Sequence, residues 1–151
     1  MNETCLNITT AERAAAPRWA KPVLIAAGIY NLLWGGLAVL FPMAQFHWLG
    51  MDEPRYPEFW QCIGMIVGVY GIGYMIAAYN PIRHWPIILV GLLGKVFGPI
   101  GMVGALISGT LPWAFSINNL TNDLIWLIPF ALLLRASYRS HQSMRDGSSE
   151  C

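Results

Sequence analysis

Four stretches of about twenty residues with almost no charge limit what this chain can become. The first, residues 22–41, is free of charge between Lys21-Pro22 and Phe41-Pro42. The second, 59–78, stops at Asn80-Pro81, where the proline pushes the preceding residue out of helical geometry. The third, 85–106, opens on Trp85-Pro86 and contains Lys95 and Pro99. The fourth, 113–135, has a polar first half and an apolar second half. A helix rises 1.5 Å per residue, so about 20 residues cross the roughly 30 Å hydrocarbon core of a bilayer. Only 11% of the chain is charged, against about a quarter in a soluble domain, and four such blocks leave no polar faces to clothe a soluble core. The expected fold is all-α: a polytopic membrane protein whose single domain, 22–135, is a four-transmembrane-helix antiparallel bundle. The connections 80–84 and 108–112 are short enough to force neighbouring helices antiparallel.

The distribution of Lys and Arg sets the orientation, since these residues stay on the cytoplasmic side. Arg13, Arg18, Lys21, Arg83, Arg135, Arg139 and Arg145 fall at one end of the bundle, and Arg55 alone at the other. Both termini are therefore expected in the cytoplasm, with 1–21 and 136–151 as short mobile tails. The connection 42–57 carries Phe46, His47, Trp48 and Tyr56. Such aromatic residues favour the headgroup layer, which predicts a loop lying along the membrane surface over one mouth of the bundle. A net charge of +1 supplies no basic field for nucleic acid.

Helices in lipid associate by close backbone approach and interhelical hydrogen bonds, so glycine spacing matters. Gln61, Gly64, Gly68 and Gly71 form one face of the second helix, and Gly91, Gly94, Gly98 and Gly101 one face of the third. These two helices are expected to make the tightest contact, within the chain or as a homodimer face. The first helix has Gly28, Asn31 and Gly35 on one side. Pro99 and Pro129 free the carbonyls four residues earlier and loosen their helices. The intramembrane charges occur only in the second half of the chain, which disfavours an inverted-repeat transporter.

Lys95 and Asp123 are the ionisable residues that cannot reach an interface, and each costs about 3 kcal/mol at a bilayer centre. Lys95 lies ten residues from Trp85 and Asp123 ten from Trp113, so each sits about 15 Å in from its own edge, at one level. Asn31, nine residues beyond Pro22, arrives at nearly the same depth. The expected site is a Lys95–Asp123 ion pair braced by Asn31. Asn119, Asn122, Asp123 and Trp126 follow at i, i+3, i+4 and i+7, one helical face. With Gln61 they suggest a polar funnel opening outward, with the apolar run 124–134 as its floor. Such a site suits a small amphipathic ligand, a quinone or a lipid, with Asp123 as acceptor and Lys95 as its charge partner; a structural staple is the alternative.

Other chemistry finds little support. There is no G-x-S-x-G, H-E-x-x-H or phosphate-binding glycine loop. Cys5, Cys62 and Cys151 lack metal or disulfide spacing, and His47, His84 and His141 have no second ligand nearby. No metal or dedicated cofactor is predicted. The N-x-[ST] triplets at Asn2, Asn7 and Asn119 are short enough to arise by chance. A membrane enzyme or proton relay using Lys95 and Asp123 is the competing function.

The segments FWQCIGMIVGVYGIGY, NPIRHWPIILVGLLGKVFGPIG and NNLTNDLIWLIPFALLLR look like those of small bacterial four-span membrane proteins. In size and helix count the chain resembles the DoxX-like group. The resemblance implies a bacterial inner membrane and an accessory role beside an oxidoreductase partner, and it carries over no functional residue.

Overall fold

The computed structural model describes the backbone of residues 16–149 and the side chains of residues 16–142. The expectations placed on Asn2, Cys5, Asn7, Arg13, Arg145 and Cys151 fall outside those limits. Helix α1 (Ala20–Leu40) is followed by the short α2 (Ala44–Trp48), then α3 (Pro57–Tyr79) and α4 (Trp85–Ile107). The fourth span, Trp113–Gln142, is assembled from a 3-10 turn (Trp113–Phe115), α5 (Ser116–Asn119), a π-turn (Leu120–Leu124) and the start of α6 (Ile125–Ser149). All four spans are long and apolar enough to cross a membrane, and the described residues contain no strand. The protein is an all-α four-helix membrane bundle. Pro57 and Pro86 stand at the first turns of α3 and α4, where a missing N–H leaves no helical bond unmade.

The bundle is built as two hairpins, α1 with α3 and α4 with α6. The closest seam joins α1 to α3, the first and second spans, and not the second and third as the glycine stripes suggested. Gly28 faces Gly71 and Gly35 faces Gly64; a Cβ on Gly35 would stand 2.4 Å from the Gly64 carbonyl oxygen. Both pairs are seven residues apart in an antiparallel register, so the backbones touch at two points along one line. The glycines of α4 serve other purposes. Gly91 receives the ring of Tyr74, Gly98 receives the carboxylate of Asp123, and Gly94, Gly101 and Gly104 have open space where a Cβ would be.

The main hydrophobic cluster fills the half of the bundle nearest the start of α1 and the turn between α3 and α4. Leu24 and Ala27 of α1, Tyr74 and Ala77 of α3, Ile88 of α4, and Phe130 and Leu133 of α6 pack there with almost no exposure. Tyr74 meets Phe130 edge to face at 4.8 Å between ring centres. Arg18, Lys21, Arg83, Arg135 and Arg139 rim this end. In the other half the hairpins part and leave cavities. There α2 is pinned by Phe46, whose ring meets Trp60 at 5.3 Å, while His47 and Glu53 form an exposed contact of 2.6 Å.

The last helix differs from the expected tail, because it continues past Arg135 to Ser149. No proline follows Pro129 to stop it, and Trp85 stacks on both Tyr138 and His141, at 5.1 and 6.2 Å.

Candidate functional site

The site begins with the local sequence Ser116-Ile-Asn-Asn-Leu-Thr-Asn-Asp123. Ser, Asn, Thr and Asp side chains compete with the helix for its own backbone groups. Thr121 Oγ1 donates toward the carbonyls of Ile117 and Asn118, both at 3.1 Å, and the indole N–H of Trp126 donates to the Thr121 carbonyl at 3.1 Å. The ladder widens in response: the N–H of Ile125 reaches back five residues to the Leu120 carbonyl. A π-turn places one extra residue in a helical turn, which rotates everything downstream by about 100°.

That rotation decides which residues meet. Asn119, Asn122 and Asp123 line one cavity of about 290 Å³ between the two hairpins, together with Asn31 of α1 and Lys95 of α4. Trp126, expected on the same face, is carried away from it and packs against Tyr30 with ring centres 5.9 Å apart. Gln61 also lies outside this cavity. Its Nε2 donates to the Val39 carbonyl at 2.9 Å, so it ties α3 to the end of α1.

Lys95 is only 4% exposed. Its Nζ donates to the Asn122 carbonyl at 2.8 Å and faces the rings of Phe130 and Tyr74, at 5.4 and 5.8 Å from their centres. Cations are attracted to aromatic faces, so these rings stabilise the buried ammonium. Asp123 accepts a 2.8 Å hydrogen bond from Asn119 Nδ2 and rests against Gly98. The direct Lys95–Asp123 ion pair expected from their depth is not formed: among the described residues the one acid–base contact within 4.0 Å is His47–Glu53. The carbonyl one residue before Asp123 occupies the lysine, and Asn119 holds the carboxylate aside. Asn31, buried in the cavity wall, bonds to neither of them and so does not brace a pair.

Several residues of the site were not picked out in the sequence. Asn118 accepts from the Trp34 indole at 2.9 Å and from Asn122 Nδ2 at 3.1 Å, which makes it the link between α1 and the fourth span. It stands one position before the stripe that starts at Asn119, and a regular i, i+4 step before Asn122, so helical spacing alone could have placed it on this face. Trp34, one turn beyond Asn31, was readable as part of the same face. Tyr74 and Trp60 also line the cavity.

The cavity offers both hydrogen-bond polarities. An ammonium has three donors, and Lys95 directs one to a protein acceptor. The buried Trp60 Nε1 and Asn122 Oδ1 have no protein partner, and Asp123 supplies further lone pairs. Such a lining matches a small group that both accepts and donates. Among the described residues no three of His, Cys, Asp or Glu are gathered where they could hold a metal ion. Comparison with known proteins adds no relative to this geometry, since no family model, curated protein or solved structure matches the chain.

Proposed function

We propose that this multi-pass membrane protein is non-catalytic and binds the polar head of a small amphipathic molecule, of the lipid or quinone class, in the cavity between its two hairpins. The carrying observation is the state of Lys95. An ammonium in mid-membrane costs about 3 kcal/mol on insertion scales, and a lysine kept only to fix helix register gains most by saturating its donors on the protein. Lys95 instead spends one donor on the Asn122 carbonyl, with Asp123 held apart in the same cavity. A ligand head with a hydroxyl, as a lipid or a reduced quinone carries, accepts from Lys95, donates to Asp123 and satisfies both groups.

The basic rim at the end that holds the start of α1 supports placing that end in the cytoplasm. The resemblance to DoxX-like proteins supports a bacterial inner membrane and an accessory place beside a redox partner. A second reading, an enzyme or proton relay, draws on the same fact that Lys95 and Asp123 share a cavity without neutralising each other by contact.

Native purification followed by mass spectrometry tests the proposal. The wild type should retain a lipid, a quinone or a partner chain. Lys95→Met and Asp123→Asn should each lose the small molecule while keeping the wild-type helix content. A protein free of ligand and partner that turns over a substrate would favour the enzyme, and unchanged retention in both variants overturns the cavity as the site.

A further inference from the structure

A second depression, of about 550 Å³, lies beside the polar cavity between the end of α1, the short α2 and α5. Its walls are apolar apart from Gln45, Asn118 and Thr121. Leu37, Phe41, Trp48 and Ile117 border it and are themselves exposed, so it opens sideways, where lipid chains would lie. The polar cavity and the groove share three residues: Trp34, Trp60 and Asn118. Trp34 and Trp60 meet edge to face at 5.7 Å, and Trp34 is held by its bond to Asn118. The partition between the two spaces is therefore one pair of indoles and one amide. On it sits Trp60 Nε1, buried and without a protein partner.

We infer that the two spaces form one bipartite site for a single-chain amphiphile with an uncharged, hydrogen-bonding head, the chain lying in the groove and the head reaching Lys95 and Asp123 across the indole partition. This rests on the cavity being the head site proposed above. Continuity through three shared residues argues for one occupant spanning both. Charge complementarity selects the head: the cavity brings one cationic and one anionic side chain, Lys95 and Asp123, and otherwise neutral groups. A phosphate or carboxylate head drawn to Lys95 would be repelled by Asp123, whereas a hydroxyl or amide head accepts from Lys95 and donates to Asp123. The unpartnered Trp60 N–H lies where head and chain would join and supplies one further donor.

The test uses the full chain in phosphatidylcholine nanodiscs with a 1-monoacylglycerol carrying a diazirine at the end of a twelve-carbon chain as probe. Photolabelling should concentrate on residues 37–49 and 117–121 and be competed by unlabelled monoacylglycerol. Lysophosphatidic acid of the same chain length should compete at least tenfold less well. Ala44→Phe, which narrows the groove from α2, should cut the competable labelling at least tenfold. Leu37→Phe, at an already exposed position, should act in the same direction should the first variant lose helix content. Lys95→Met should lower the yield without moving the labelled positions. Label that is not competed, or that scatters over lipid-facing residues such as Ile66, Val69 and Ile100, is annular contact and overturns the inference. Competable label that depends on Lys95 but falls outside the groove overturns the groove and leaves the head site standing. Label insensitive to Lys95→Met overturns the head site itself, and stronger competition by lysophosphatidic acid overturns the uncharged head.

Discussion

Replacing Gly35 by alanine adds one methyl group at the closest seam of the bundle. The new Cβ would stand 2.4 Å from the Gly64 carbonyl oxygen and 2.9 Å from the Gly68 nitrogen, both backbone atoms that no rotamer change can move aside. An ordinary carbon–oxygen contact is about 3.3 Å, so α1 and α3 must separate by roughly 1 Å. A gap of that size forfeits a quarter to a half of the dispersion attraction along the seam. The gap extends to the Gly28–Gly71 pair, because two stiff helices part together. Overpacking of this kind costs about 1 to 3 kcal/mol. The controls are Gly68→Ala and Gly94→Ala, where an added Cβ meets nothing within 4 Å. Alanine is the better helix former by up to about 1 kcal/mol, so both controls should be neutral or stabilised. Unfolding in mixed micelles with rising dodecyl sulfate, followed by helical circular dichroism, measures the three free energies. A Gly35→Ala protein as stable as the wild type, or a Gly68→Ala protein equally weakened, would refute the assignment of the α1–α3 seam.

Three further outcomes are expected. Gln61→Leu removes the bond to the Val39 carbonyl and should cost about 1 kcal/mol, yet leave ligand retention unchanged, because Gln61 is outside the cavity; loss of ligand at wild-type stability would return it to the site. Gly98→Ala places a methyl group against the Asp123 carboxylate, the movable end of a side chain; it should shift stability by less than about 1 kcal/mol while weakening ligand retention in native mass spectrometry, and intact retention would show that Asp123 does not touch the ligand. A reporter active only in the cytoplasm should work when fused after residue 151, and one active only outside should work near Met51; the reverse pattern inverts the topology.

Local features of the chain determined the four spans and the depth of their polar groups. A span needs only enough apolar residues in a row, and position along a helix axis follows from a fixed rise per residue. Asn31, Lys95 and Asp123 were therefore placed at one level by counting, and they do line one cavity. Rotation about the axis is a different matter, since it accumulates every local departure from 3.6 residues per turn. The polar run 116–123 was readable as a polar face, but the π-turn it contains sent Trp126 away from that face to Tyr30. The choice of neighbours was equally out of reach. The α3 and α4 glycine stripes look alike in sequence, yet only Gly64 and Gly71 find matching glycines at the right register, on α1. The Lys95 partner, a backbone carbonyl, has no signature in the sequence, because every residue carries one and only the meeting of α4 with the widened turn of the fourth span selects Asn122. Rise is set within a helix, whereas facing and pairing are set between helices, and only the tertiary structure decided them.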